Sequence, residues 1–223
     1  MKISYVIKHL TGTLTFYLLI FLSAGKVLYF PGLAYVILGL ITFTLNYTAL
    51  KPDSELLAER AKPGEGAKKW DKVLLGLSLP VTIAMYVIAG LDSGRYHWSP
   101  DFHWSLILPG IIMTATGQIL FLFAQKQNRF FSSTVRIQTD RNQTVCETGL
   151  YGVVRHPAYL GSVIQSAGFP LLFGSLWSIV PSGLLIIIQI IRTIMEDKTL
   201  MTELIGYETY SSKVRYRLIP LFW

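Results

Sequence analysis

The fold is decided by the stretch PAYLGSVIQSAGFPLLFGSLWSIVPSGLLIIIQII at positions 157–191, which contains no Asp, Glu, Lys, Arg or His. As one helix these 35 residues would extend about 52 Å, well beyond the roughly 30 Å hydrocarbon core of a bilayer. The stretch is therefore predicted to fold back as a helical hairpin. Two places carry turn residues, Phe173-Gly174-Ser175 and Pro181-Ser182-Gly183, and the sequence favours neither.

Apolar character extends over the rest of the chain. Charged residues make up 15% of the sequence and the mean hydropathy is +0.46, whereas soluble domains contain about 25% charged residues. The pattern predicts an all-α, polytopic membrane helix bundle with about six membrane-embedded helices, of which the C-terminal two form the hairpin. Before the hairpin, four stretches of near-spanning length occur at 9–25, 33–50, 73–91 and 104–125.

Basic residues give an independent test of these spans. If the N-terminus is cytoplasmic, eighteen of the 20 Lys and Arg residues fall on the cytoplasmic side, and only Lys26 and Arg95 fall outside. This asymmetry follows the positive-inside rule, so both termini are predicted to be cytoplasmic. Cleavage of the first stretch as a signal peptide is the alternative, but it would leave an odd number of spans. A short interfacial helix is expected at 53–62.

Several kinds of chemistry are not indicated. The single cysteine, Cys146, excludes an internal disulfide, and the four histidines lack metal-ligand spacing, so no metal is expected. The basic residues flank apolar blocks and form no stripe, which argues against a nucleic-acid partner. Polar residues inside the spans are few and are interpreted as interhelical hydrogen-bonding groups: Asn46, Gln118, Gln165 and Gln189.

Polar side chains gather at the two ends of the hairpin. Arg155 and His156 precede Pro157, and a helix N-terminus that begins there would favour an anion. At the other end Arg192 and Glu196 are four residues apart and share one helix face. The turnback is predicted to bring these ends together, so that one pocket carries a cationic and an acidic anchor for a zwitterionic ligand.

Three motifs resemble the isoprenylcysteine carboxyl methyltransferase family, whose relatives include the phospholipid N-methyltransferases. They are R-H-P-x-Y-x-G at 155–161, R-x-x-x-E at 192–196 and the closing segment from Gly206 to Pro220. The resemblance is specific over roughly 136–220, and the loop at 52–72 looks like the bacterial branch. It implies a polytopic enzyme that uses S-adenosylmethionine and releases S-adenosylhomocysteine.

The resemblance also implies roles for individual residues. Arg192 would hold a substrate carboxylate, Glu196 would engage the cofactor, and these two are the candidate catalytic residues. Asp197 stands where the family usually has a second Glu, and Gln143 where a His is common. The implied cofactor-binding set is Gln138, Gln143, Thr144, Val145, Cys146, Tyr151, His156, Pro157, Ala158, Tyr159 and Glu196, with residues 143–146 expected to be strand-like.

The expected organisation is one membrane methyltransferase domain over 1–223, with a four-helix membrane part at 1–125 and a cofactor-binding and catalytic part at 126–223. The expected reaction is methyl transfer to a lipophilic or membrane-borne acceptor in a bacterial cell membrane, with carboxyl O-methylation of an isoprenylcysteine-like substrate as the leading form. A carboxylate is ionised at neutral pH and needs no base. The alternatives are a phospholipid amine or small thiol as acceptor, an NADPH-dependent sterol-reductase-like enzyme, or a small-molecule carrier.

Overall fold

The computed structural model describes residues 3–50 and 66–223, and within these ranges it contains helices and no strand. The expected interfacial helix at 53–62 lies outside the described residues. Short π-helical turns extend two of the helices, at Asn46–Leu50 and Gly90–Tyr96. The helices are α1 (Ile3–Ala24), α2 (Phe30–Leu45), α3 (Lys69–Ala89), α4 (Trp104–Gln127), α5 (Pro157–Phe173), α6 (Ile179–Glu203) and α7 (Tyr207–Lys213).

The lengths and apolar composition of these helices confirm a helical membrane bundle. Among the described residues, four helical segments are long and apolar enough to cross a bilayer: Phe30–Thr48, Lys69–Tyr96, Trp104–Gln127 and Ile179–Glu203. Helix α1 contributes the shorter apolar segment Leu10–Ala24, and α5 is an apolar helix of 17 residues. These six helices correspond to the six that the sequence predicts.

The C-terminal hairpin is present, and its turn follows Phe173. Gly174 ends α5 with a φ of +62°, a left-handed conformation that glycine adopts without the steric cost of a Cβ. The other possible turn, at Pro181-Ser182-Gly183, instead lies inside the first turns of α6. Helix α6 also continues past position 191 to Glu203, so that its last part carries the charged residues of the candidate site.

Helices α4 and α5 run antiparallel in close contact because glycines face each other between them. A Cβ on Gly110 would lie 2.2 Å from the backbone nitrogen of Leu172, and a Cβ on Gly117 would lie 2.4 Å from the carbonyl oxygen of Gly161. Small residues allow this backbone approach in membrane helices. The contact fixes the start of α5, and with it the start of the candidate site, against α4.

The segment at 128–156 connects α4 to α5 and is fastened to the start of α3. Val135 accepts a hydrogen bond from the backbone nitrogen of Lys68 at 2.9 Å and donates one from its own backbone nitrogen to Asp71 Oδ2 at 2.8 Å. Residues 143–146 belong to neither a helix nor a strand in the described chain. The strand-like conformation expected for 143–146 therefore does not take the form of a paired strand, because no neighbouring backbone forms a ladder with this segment.

Candidate functional site

A cavity lies at the end of the bundle where α5 begins and α6 ends. Its volume is about 820 Å³ including the open mouth. The walls come from the connecting segment, the first turn of α5, the last turns of α6, and α7. The hairpin thus supplies two walls that are about 40 residues apart in the chain.

Most of the residues predicted to bind the cofactor line this one cavity. Pro157 is the exception, since it is buried at the first position of α5. Arg192, the predicted substrate anchor, lies close by but is not part of the cavity wall. The predicted residues in the wall are Gln138, Gln143, Thr144, Val145, Cys146, Tyr151, His156, Ala158, Tyr159 and Glu196.

Tyr159 connects the two charged residues of α6. Its hydroxyl donates a hydrogen bond to Glu196 Oε2, and the Arg192 guanidinium lies 5.2 Å from the centre of its ring. The other side of the site carries the imidazole of His156, which stacks nearly parallel to Tyr159 with 5.6 Å between ring centres. A carboxylate and two aromatic faces therefore stand together in the cavity wall.

Arg192 is held from behind by a residue of α3. Its Nε donates to Asp71 Oδ1 at 2.8 Å, and its Nη2 lies 3.5 Å from the carbonyl oxygen of Ser133. Asp71 is fully buried and Arg192 is 9% exposed. The fork of the guanidinium is thus fixed along its Nε edge, while Nη1 has no hydrogen-bond partner among the described residues.

Asp197, one residue after Glu196, is the centre of a buried ionic network. Arg155 donates to both of its carboxylate oxygens at 2.8 and 2.9 Å, and Tyr207 donates its hydroxyl at 2.8 Å. Arg217 of the C-terminal tail adds a contact at 2.9 Å. Asp197 therefore fastens the residues before α5, the start of α7 and the tail to α6.

This network differs from the expected anion site at the start of α5. The Arg155 guanidinium is paired with the chain's own Asp197, and the carbonyl oxygens of Tyr216 and Arg217 accept from the backbone nitrogens of Arg155 and His156 at 2.9 and 3.0 Å. The Arg155 guanidinium and the backbone donors of Arg155 and His156 are thus used internally. Glu196 is left as the acidic side chain of the hairpin that faces the cavity.

The far wall is built from tyrosines and a cysteine that stay uncharged at neutral pH. Tyr210 donates its hydroxyl to the carbonyl oxygen of Tyr151 at 2.7 Å, and burial raises the pKa of both phenols. Burial and the adjacent Asp197 carboxylate raise the pKa of Tyr207. Burial likewise raises the pKa of the Cys146 thiol, so this residue is a packed wall residue under neutral conditions.

Sequence reasoning missed several residues of the site. Asp71 lies in the Lys69-Trp70-Asp71-Lys72 segment, but nothing local to that segment indicates a bond to α6. Tyr207 and Tyr210 lie in the closing motif and could have been assigned to the wall on that signal. The remaining missed wall residues include Phe130, Phe131, Leu200 and Leu204, which are apolar and carry no motif.

A comparison with protein families gives one finding that bears on this site. Residues 105–207 match the family model described as phospholipid methyltransferase. This range is slightly less than half of the chain and contains every predicted site residue. The matched family is a membrane methyltransferase family, and it is related to the isoprenylcysteine methyltransferases. No curated protein matches the chain.

The described residues contain no group of three or more His, Cys, Asp and Glu side chains that could hold a metal ion. The ionic groups at the site are instead arranged as carboxylate–guanidinium and carboxylate–hydroxyl pairs.

Proposed function

We propose that the chain is an S-adenosylmethionine-dependent methyltransferase acting on a lipophilic or membrane-borne acceptor. The observation that carries this proposal is the meeting of Glu196, Tyr159 and His156 in one cavity at the end of an apolar hairpin. The family match over 105–207 supports the same reaction class and favours it over a reductase or a carrier.

The cavity wall suits the chemistry of the cofactor. Glu196 supplies a negative charge for the cationic amino-acid end, and the faces of Tyr159 and His156 can contact a cation or stack on a base. Gln143 and Thr144 provide hydrogen-bonding side chains along the opposite wall. When bound, S-adenosylmethionine supplies an activated methyl group on a sulfonium.

The contribution of the protein is orientation and exclusion of water. Tyr159 orients the Glu196 carboxylate through its hydroxyl, and Asp197 holds the residues that precede α5 against α6. Phe130 and Leu204 are buried in the described structure and make part of the cavity wall apolar. Alignment of two reactants in a partly dry site lowers the barrier of a displacement without an acid or a base.

The leading acceptor is a carboxylate of an isoprenylcysteine-like molecule. Arg192 supports this form, because Asp71 and Ser133 hold its Nε and Nη2, while Nη1 has no partner among the described residues and can donate to a second carboxylate. The free carboxylate is already ionised at neutral pH, so its methylation requires no base. The catalytic assignments are then Arg192 for the acceptor and Glu196 for the cofactor.

A phospholipid amine is the second candidate, and the description of the matching family favours it. An ammonium group must lose a proton before it can accept a methyl group. Glu196 is the acidic side chain of the hairpin that faces the cavity, so it would have to serve both the cofactor and that proton.

The proposed orientation places both termini in the cytoplasm of a bacterial cell. Eighteen of the 20 basic residues then lie on the cytoplasmic side. The cavity would open to the same side, because the start of α5 and the end of α6 lie there. Residues 126–223 would carry the cofactor and 1–125 would supply most of the membrane part.

Calorimetric titration with S-adenosylhomocysteine tests the proposed function. The purified protein should bind this compound and should not bind NADPH. The Glu196→Gln and His156→Ala variants should weaken binding about tenfold to a hundredfold, the range expected when a hydrogen bond to a charged group is removed.

The matched control is Glu203→Gln, which removes a carboxylate from the same helix. Glu203 pairs with Lys68 at the surface, 2.7 Å away, and it is not part of the cavity wall. This variant should bind S-adenosylhomocysteine as the unmodified protein does. Unchanged affinity in both Glu196→Gln and His156→Ala would remove the proposed site.

A further inference from the structure

A second cavity lies inside the membrane part of the bundle. Its volume is about 1,010 Å³ including its mouth, and its walls come from α1, α2, α4, α5 and the connecting segment. Phe131 lines both cavities, and Ser133 lines the second cavity while its neighbours Ser132 and Thr134 line the first. A single stretch of the connecting segment therefore separates the two spaces.

The second cavity is lined by polar side chains at positions inside the apolar helices. Thr42 donates to Gln118 Oε1 at 2.7 Å, and Gln125 donates to Asn46 Oδ1 at 3.4 Å. These bonds join α2 and the turn that follows it to α4. They are the interhelical hydrogen bonds that the sequence predicts for such residues.

The hydrogen bonds between helices leave several donors and acceptors of these side-chain amides without a partner among the described residues. Each side-chain amide has both a donor nitrogen and an acceptor oxygen. Among the described residues, the amide nitrogens of Gln118 and Asn46 have no hydrogen-bond partner, and neither does the amide oxygen of Gln125. Gln165 likewise bonds to Tyr35 through its nitrogen only, at 3.2 Å. An unpaired amide in hydrocarbon costs free energy, which a ligand with matching groups would offset.

The charge of this lining defines the ligand further. Among the described lining residues there is no Asp, Glu, Lys, Arg or His. A charged group brought to this depth would lack a counter-ion, which is unfavourable in a membrane interior. A neutral molecule with a hydroxyl group can instead accept from Gln118 and Asn46 and donate to Gln125.

We propose that this cavity holds the body of the methyl acceptor, and that this body is an uncharged lipophile bearing a hydroxyl group, which can both accept and donate a hydrogen bond. The inference rests on the proposed methyltransferase function and adds the chemical class of the acceptor. The reactive end would pass Phe131 into the first cavity, while the lipophilic part stays among the amides. A bare hydrocarbon chain, such as the prenyl group of the leading acceptor named above, would leave the amides unpaired, so this inference favours a hydroxylated lipid over that form.

Two matched neutral probes test the inference: methyl 12-hydroxyoctadecanoate and methyl octadecanoate, each measured by equilibrium binding to the purified chain in detergent micelles. The unmodified protein should bind the hydroxylated ester about tenfold more tightly than the plain ester. Gln118→Met and Asn46→Leu should each remove most of that preference, because they delete the unpaired donors at similar volume. The same micelles are used throughout, so probe partitioning cancels between variants.

Gln189→Met is the control variant. Gln189 is also an intramembrane amide, and its side-chain nitrogen has no partner among the residues that the structure describes. It does not line the cavity, so this variant should keep the preference. Equal affinity of the unmodified protein for the two probes would overturn the inference. Retention of the preference in both Gln118→Met and Asn46→Leu would overturn it as well.

Two parallel measurements separate this inference from the proposed function. The hydroxylated ester should inhibit labelled methyl incorporation in membranes several-fold more strongly than the plain ester, and binding without such inhibition would overturn the assignment to the acceptor. Titration with S-adenosylhomocysteine is carried out on the same samples. If the protein does not bind S-adenosylhomocysteine but still prefers the hydroxylated ester, the proposed methyltransferase function and the acceptor role are both contradicted. The second cavity would then still be a binding site for a lipophile.

Discussion

Asp71 and Arg192 form a buried ion pair, with Arg192 Nε 2.8 Å from Asp71 Oδ1, although they are 121 positions apart in the chain. The second oxygen of Asp71 accepts from the backbone nitrogen of Val135 at 2.8 Å. One carboxylate therefore joins the start of α3, the connecting segment and the last part of α6. The pair places the guanidinium behind Tyr159 and gives it a fixed direction.

Removal of Asp71 should destabilise the protein strongly. Asp71→Ala leaves a buried guanidinium and a buried backbone donor unpaired, so we expect a loss of about 3–5 kcal/mol in the free energy of unfolding. Unfolding in mixed micelles with increasing denaturing detergent measures this change. Glu203→Ala, which breaks the exposed pair with Lys68, should cost no more than about 1 kcal/mol.

A double variant shows whether the loss of stability comes from breaking the Asp71–Arg192 ion pair or from nonspecific effects of each substitution. In Asp71→Leu with Arg192→Met both charges are absent, so the double variant should be more stable than Asp71→Leu alone. A residual cost of about 1–3 kcal/mol should remain, because the backbone nitrogen of Val135 still lacks a partner. If the loss of stability in the double variant equalled the sum of the losses in the two single variants, the pairing would be contradicted.

Arg192 should affect turnover more than cofactor affinity. It does not line the cavity that contains Glu196, and its proposed partner is the acceptor. Arg192→Met is expected to lower kcat with a membrane acceptor at least about tenfold, equal to about 1.4 kcal/mol in the barrier. The affinity for S-adenosylhomocysteine, measured by calorimetry, should change about twofold or less; an equal loss in both quantities would contradict a role limited to the acceptor.

Asp197 should control the position of the C-terminal tail. Asp197→Ala leaves Arg155 buried without its carboxylate and releases Arg217, so the chain after α7 should become accessible. We expect trypsin to cleave after Arg215 or Arg217 at least about tenfold faster than in the unmodified protein, since local opening needs only about 1.4 kcal/mol less free energy.

Two further variants serve as controls for the cleavage of the tail by trypsin. Asp197→Glu retains the charge and should restore much of the protection. Asp140→Asn removes a carboxylate that pairs with Arg136 at the surface and should leave tail cleavage unchanged. Equal cleavage rates in Asp197→Ala and the unmodified protein would show that the tail is held by other contacts.

The hairpin and the clustering of site residues could be predicted because both follow from local signals. A charge-free stretch of 35 residues, where a bilayer requires about 20, must turn back, and positions 192 and 196 share a helix face by periodicity. The partners of Arg192 and Arg155 could not be predicted in this way. Asp71 lies on another helix, and Glu196 and Asp197 are adjacent in sequence yet point about 100° apart on the helix. Which of these two carboxylates faces the cavity depends on how α5, α7 and the connecting segment pack against α6, and the local sequence does not show this.

The glycine contact between α4 and α5 should be sensitive to a single methyl group. A Cβ on Gly117 would lie 2.4 Å from the carbonyl oxygen of Gly161, so Gly117→Ala must push the two backbones apart. The expected cost is about 1–3 kcal/mol in the free energy of unfolding. Gly76→Ala on α3 is the control, because its Cβ would meet nothing within 4 Å; a comparable loss in both variants would show that helix approach is not the cause.

Cys146 should be slow to react at neutral pH. It is the single cysteine of the chain, so a maleimide reports on one site. Burial raises the pKa of its thiol, which lowers the thiolate fraction at pH 7, and the thiolate is the reacting form. Labelling of the folded protein should therefore be slower than labelling of the denatured chain at pH 7, and its rate should keep rising about tenfold per pH unit through the pKa of an ordinary thiol. Saturating S-adenosylhomocysteine should slow labelling further, because Cys146 is part of the proposed cofactor wall. A folded protein that reacts as fast as the denatured chain at pH 7 would contradict the burial of this thiol.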